Sequence, residues 1–537
     1  MIERQYATVD TRWGVKQIHY RRCGSGPAAL LLHQSPQSSR EYEALMHAWS
    51  DRFTVIAPDY PGFGNSDPLG EDGELELSLA DFAEVLIAFL DAINVRSAPA
   101  YGFHTGAGMA VAMADCSPAH ISAVYANGYC ILTEQEQADI LAGYLPPFEK
   151  HWDGSHLIWV STRNRDQLIF FPWFDRREEA RIERTIPPPE VLQDWAMELL
   201  RADDHYRVGY RAAFCYPGDV PLRTLQTPAI ITATETDVLG AYLSRVTEPA
   251  DAVTARIGGS MDDNLAEAAD FFLRHPGSPV PPAPVTAPVA GRFWNRTVKY
   301  EHGCVRVRCR LDADSRPVLI VHEAAGACET VAALAAELGE TRSVITLDLP
   351  GHGETDALPD GVSFMDACAA AISAVLDALY VDVADACGFG EGALVLADFV
   401  RRHPGRLSGL YAAGLPELSA HEAAALAERF APAIEPQWHG GHLLEYWHVA
   451  RNRTLFSPWF EQTDAASLSG DPHTDADEIH QRALALMKSV AVLPRAAREL
   501  FTYPLVGVAE VPDVPVQRAA APLATDILDF FAGASDD

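Results

Sequence analysis

The chain has 537 residues, 48 % of them apolar and 21 % charged. That length exceeds one ordinary core, so two domains are expected, and the apolar share excludes a disordered chain. A formal net charge of −33 works against nucleic acid and anionic lipid, whose recognition needs positive fields.

The opening residues, Met1-Ile2-Glu3-Arg4-Gln5-Tyr6, hold no apolar run of signal-peptide length. No stretch approaches the ~18 uninterrupted apolar residues of a membrane span. Nine cysteines, with no CxxC pair and no metal-like spacing, fit reduced thiols and no bound metal. The expectation is a cytoplasmic protein with no membrane partner. The run Ala28-Ala29-Leu30-Leu31-Leu32, ending at His33, predicts a buried strand, and 53–57 predicts another. Asp59-Tyr60-Pro61-Gly62-Phe63-Gly64-Asn65-Ser66-Asp67 follows, and 79–90 reads as a helix. Strand–helix alternation implies a mostly parallel sheet with right-handed crossovers. Residues Gly102-Phe103-His104-Thr105-Gly106 then spell a nucleophile elbow, a tight strand-to-helix turn that pushes one side chain out over the sheet. An imidazole stands where a serine hydroxyl is expected. From 131 to 215 the alternation gives way to helical, aromatic and charged sequence, and 229–233 resumes as a strand with Asp237 after it. Proline density over 276–291 predicts an extended spacer between a domain at 1–275 and another at 292–537.

The second half repeats the first. Pro317-Val318-Leu319-Ile320-Val321-His322 echoes the strand ending in His33, and Asp348-Leu349-Pro350-Gly351-His352-Gly353 echoes the Asp59 segment. Gly388-Phe389-Gly390-Glu391-Gly392 echoes the elbow. Trp152-Asp153-Gly154-Ser155-His156-Leu157 matches Trp438-His439-Gly440-Gly441-His442-Leu443, and Phe170-Phe171-Pro172-Trp173-Phe174 matches Phe456-Ser457-Pro458-Trp459-Phe460. The separation of Gly102 from Gly388 equals that of Trp173 from Trp459, 286 residues. A register held that long implies an internal duplication.

Together these motifs resemble the α/β-hydrolase superfamily. The resemblance implies two tandem α/β-hydrolase-like domains, each a mostly parallel sheet flanked by helices with a helical cap. The caps would span about 131–215 and about 418–500. Asp237 stands where the family places its carboxylate. The family's histidine should follow one strand later, yet no histidine occurs between His205 and His275. The family's oxyanion hole implies one backbone N–H from Thr105 and another from the loop His33-Gln34-Ser35-Pro36, with Gln34 the expected donor. Gln34 departs from the glycine usual there.

A serine triad needs a hydroxyl, an imidazole and a carboxylate. A histidine rooted at the elbow would extend its ring into the volume of the absent base, one nitrogen facing Asp237 and the other the substrate. Such a ring is a competent general base, and a direct nucleophile is the other possibility. Ser35 is a weaker candidate as a displaced nucleophile, and with His33 it borders the expected site. In the cap, His156, Arg163, Arg165 and Trp173 are candidate substrate contacts. The aromatic cluster around Trp173 either packs cap against sheet or lines an apolar pocket. Arg165 either bridges an acid of the fold or holds an anion. Arg451 repeats Arg165 and His442 repeats His156, which favours structural roles for both first-copy residues. Arg163, matched by Val449, is the stronger anion-binding candidate.

The second copy carries Gly390 at the nucleophile position, so it is expected to be inactive. About 20 residues separate Tyr503 from the closing helix at Leu523, against about 50 between Tyr216 and Leu265, so the acid strand is expected to be largely gone. Two functions stay open. One is a cofactor-independent enzyme without a serine nucleophile, acting by hydrolysis, C–C cleavage or lyase/decarboxylase chemistry on a small carbonyl substrate, aromatic or anionic. The other is a catalytically silent ligand-binding or scaffold protein. The expected partners are a small-molecule substrate and the two copies packed on each other, with further oligomerisation left open.

Overall fold

A computed structural model describes residues 2–70, 76–182, 185–313, 315–415, 418–472, 474–503, 514–520 and 523–533. Two compact units divide the chain. The first comprises Met1–Glu149, Ile158–Ala287 and Gln437–Gly440; the second comprises Lys150–Leu157, Pro288–Pro436 and Gly441–Asp537.

The first unit is built on strands β1 (Glu3–Thr11), β2 (Gly14–Gly24), β3 (Ala28–Leu32), β4 (Thr54–Pro58), β5 (Ala98–Phe103), β6 (Ile121–Asn127), β7 (Ala229–Thr232) and β8 (Val253–Ala255). Their order is β1-β2-β4-β3-β5-β6-β7-β8. β1 and β2 pair antiparallel, as do β2 and β4, and every later pair is parallel. All residues of β3, β4 and β7 are buried, as parallel strands covered on both faces must be. Helix Leu79–Ala92 begins in a capping box between Ser78 and Asp81. It buries Leu79, Phe82, Ala83, Leu86, Phe89 and Leu90 at helical spacing. On one face of the sheet Trp49, Phe53, Tyr101 and Phe272 close a single apolar cluster. Helices Glu134–Gly143, Ser155–Asp166, Pro189–Ala202 and Tyr206–Phe214 lie between β6 and β7, where the cap was expected.

The second unit's strands are β9 (Trp294–Tyr300), β10 (Gly303–Arg310), β11 (Val318–Val321), β12 (Val344–Leu347), β13 (Ala384–Phe389), β14 (Leu407–Ala413) and β15 (Val516–Ala519). They run β9-β10-β12-β11-β13-β14-β15, the first unit's order with no equivalent of β8 among the described residues. The expected loss of the acid strand is corrected here. β15 pairs parallel with β14 just as β7 pairs with β6. The short spacing falls beyond it instead, where helix Ala524–Gly533 begins five residues after Ala519. Pro504 and the residues through 513, where the shortening was read, lie outside the described residues.

Part of the proline-rich spacer is held against the first unit. Ser278 N–H donates to Ser97 O at 2.8 Å and Thr286 Oγ1 to Tyr6 O at 2.8 Å. Among the described residues no helix is long and apolar enough to cross a membrane.

Candidate active site

The elbow forms because β5 must turn at once into helix Thr105–Cys116. Two glycines permit the turn: a Cβ on Gly102 would lie 1.9 Å from Gly106 O, and one on Gly106 would lie 2.0 Å from Leu32 O. Between them His104 adopts φ 50° and ψ −114°, a strained conformation of the kind that clusters at functional sites. Its N–H donates to Asn127 O at 2.9 Å.

The imidazole of His104 meets the Asp237 carboxylate, Nε2 to Oδ2 at 2.9 Å. Asp237 follows β7, and its other oxygen accepts the Leu239 N–H at 2.9 Å. The carboxylate is therefore fixed from both sides. Its side chain is 8 % exposed, against 26 % for the histidine. Because a carboxylate only accepts, Nε2 is the donor in this bond. Nδ1 makes no hydrogen bond with the described residues and is not sealed from solvent. The Phe103 ring stacks on the imidazole at 3.9 Å.

A cavity of about 550 Å³ lies over the dyad. His104, Asp237, Gln34, Ser35 and Thr105 line it on the sheet side, while Phe171, Trp195, Tyr210 and Phe214 supply aromatic walls from the cap segment. Thr105 heads its helix, so its N–H has no intrahelical acceptor. The expected second oxyanion donor is corrected. Gln34 N–H is held by Glu41 Oε1 at 2.8 Å, and its side-chain amide by Glu41 Oε2 at 3.0 Å. Ser35 N–H is likewise taken by Thr105 Oγ1, at 2.7 Å. Burial pushes the Glu41 carboxyl up to about 8, against the pull of the Gln34 bonds. Glu41 was missed in the sequence because nothing local marks it; it reaches Gln34 from a short helical turn seven residues on.

The remaining candidates stand outside the cavity, and each is corrected as a substrate contact. His33 is fully buried, donates from Nδ1 to Gln34 O at 3.0 Å, and accepts Tyr60 N–H at Nε2, 2.9 Å. His322 repeats both bonds in the second unit, so the residue is a structural pin. His156 belongs to the second unit, where it packs edge-on to Trp447 and lies 3.4 Å from His480. Burial, with His480 beside it, holds its pKa down to about 3. Arg165 stacks over the Trp438 ring at 4.7 Å and makes no ion pair with the described residues, so the expected acid bridge is not formed. Trp173 is buried, donates to Tyr144 O at 3.1 Å, and serves packing. Arg163 is 1 % exposed and sits behind the cavity wall. Gln167, which does line the cavity and binds Arg163, carried no sequence signal.

In the second unit the same turn holds Gly390 at φ 44°. Glu391 Oε2 accepts Ala324 N–H at 3.1 Å, and Arg453 donates to Ala324 O at 2.7 Å. Arg482 pairs with Glu323 at 3.1 Å. Glu323 lies beside this turn, its Cβ 3.4 Å from where a Cβ on Gly390 would stand. Among the described residues no group of three or more His, Cys, Asp or Glu is arranged to hold a metal ion.

The strand order, the elbow and the helical insertion define the α/β-hydrolase fold. Residues 27–147 match the family model described as alpha/beta hydrolase fold. Haloalkane dehalogenase 2 from Mycobacterium bovis is 34 % identical over 109 residues, 20 % of this chain and 37 % of that protein. Soluble epoxide hydrolase from Corynebacterium sp. is 45 % identical over 51 residues, 10 % of this chain and 18 % of that protein. The chain therefore spans well under half the length of these relatives. A hydrolase from Pseudomonas aeruginosa PA01 of known crystal structure aligns with 50 % of this chain and 98 % of its own, at 17 % identity and a TM-score of 0.39.

Proposed function

We propose that the chain is a tandem duplication whose first copy is an α/β-hydrolase-superfamily enzyme working without a serine nucleophile. His104 is its general base and Asp237 orients the ring. The observation that carries this reading is the 2.9 Å Nε2–Oδ2 bond beneath a cavity, with Nδ1 left open. Nδ1 takes a proton from water attacking a carbonyl, or from an acidic C–H or O–H of the substrate. The imidazolium so formed is stabilised by Asp237, and the Thr105 N–H receives the developing oxyanion. Hydrolysis, C–C cleavage and decarboxylation of a small carbonyl compound all fit these groups. The second copy, with Gly390 at the elbow, serves as a noncatalytic partner domain.

The test is turnover of aryl esters, β-diketones and β-keto acids by the full chain, His104→Ala and Asp237→Asn. A general base contributes roughly 10²–10⁴-fold, so each variant should lose at least about 10²-fold. Equal rates in all three proteins refute the mechanism. A silent ligand-binding protein is the second reading, favoured by the capture of the Gln34 and Ser35 N–H groups by Glu41 and Thr105. In that case ligands bind and none is turned over.

A further inference from the structure

Arg163 is among the largest side chains sealed inside the protein, at 1 % exposure. Among the described residues no carboxylate pairs with it. Nη1 donates to Gln167 Oε1 at 3.0 Å, while Nε and Nη2 find no acceptor. The rings of Tyr144, Trp173, Tyr206 and Tyr210 surround the guanidinium at 5.5–5.7 Å. Ring faces attract a cation but do not neutralise it, and a buried charge normally has an anionic partner. Three members of this shell, Tyr144, Gln167 and Tyr210, also line the cavity over His104. Because Arg163 occupies the amide oxygen of Gln167, the amide NH₂ is turned away from the guanidinium. Gln167 also hydrogen-bonds the Tyr210 hydroxyl, and both side chains line the cavity, where a ligand can reach them.

We propose that the cavity takes a carboxylate-bearing substrate, its carboxylate received by the Gln167 amide with the Arg163 charge behind it. Gln167 is the binding residue and Arg163 its positioning residue. Where the reacting carbonyl lies rests on the His104 reading; recognition of the anion does not. On a chain of net charge −33, a local uncompensated cation is what would draw an anion to this pocket.

The experiment titrates 3-phenylpropionate and its neutral amide into the full chain, His104→Ala, Gln167→Glu and Arg163→Met by calorimetry. The acid should bind roughly ten-fold tighter than the amide in the full chain, and equally so in His104→Ala, which separates this proposal from the catalytic one. Gln167→Glu supplies Arg163 with an internal carboxylate and should bring the ratio to one or below. Arg163→Met should do the same if it folds, and Gln167→Glu decides the matter if it does not. Equal binding of acid and amide, binding of neither at millimolar concentration, or a preference that survives Gln167→Glu overturns the proposal.

Discussion

Gly128 touches the dyad without belonging to it, which makes Gly128→Ala a geometric test of the proposed chemistry. The residue has φ +74°, and a Cβ there would lie 2.3 Å from His104 Cδ2 and 3.1 Å from both His104 Nε2 and Asp237 Oδ2. Ordinary contact begins at 3.4 Å, so the ring must retreat by about 1 Å. That carries a 2.9 Å hydrogen bond out of bonding range. A hydrogen bond to a charged group is worth about 1.5–3 kcal/mol, and misplacing a base by ~1 Å costs about 10²-fold in rate. The left-handed backbone adds ~1–2 kcal/mol of strain to alanine, or a fall in Tm of about 2–8 °C for a unit of this size. The measurements are kcat/KM on a substrate from the panel above and a melting curve. A folded variant within threefold of wild-type turnover refutes the assignment of His104 and Asp237 as a working pair.

Two further predictions concern pH. Glu41 has its carboxyl raised to about 8 by burial, so its favourable contribution is complete below the unfolded value near ~4.3 and is lost as pH rises through the folded value. Glu41→Gln should therefore gain about 2 kcal/mol over the parent between pH 4.5 and 8.5, after allowance for partial exposure; urea midpoints that shift equally at both pH values refute this. Asp59 is fully buried and accepts from Ser39 N–H at 2.8 Å, Asn65 N–H at 2.9 Å and the Ser39 hydroxyl. Burial alone would raise its pKa, but His19 and Arg21 bring it below the usual carboxylate range. Its stabilisation is therefore present above ~pH 4 and lost as pH falls. Asp59→Asn should cost about 3–5 kcal/mol at pH 7 and less at pH 3, and a constant cost across that range would contradict the linkage.

Local features of the chain mark β3, β4, β7 and the turn at His104, whereas β15 was expected to be gone. Five consecutive buried residues in β3 leave their mark as an unbroken apolar run. Gly102 and Gly106 mark a turn that no side chain fits. Asp237 was singled out because the resemblance places the family's carboxylate after that strand, and it does follow β7. The second sheet repeats the first sheet's strand order from β9 to β15, in line with the motifs that recur in the sequence.

What a side chain does once it arrives was decided by the tertiary structure. His33 and His104 are the same residue type at neighbouring loops of one sheet edge. One is pinned by Tyr60 N–H and Gln34 O, the other meets Asp237 beneath a cavity. Gln34 lost its expected role to Glu41, and Arg163 was placed behind the wall that Gln167 faces. These outcomes depend on which partners distant segments bring within about 3 Å, and hydrogen bonding at that range is invisible to periodicity or spacing. Sequence set the backbone's course because propensity and burial act locally, whereas polar pairing was settled only by packing.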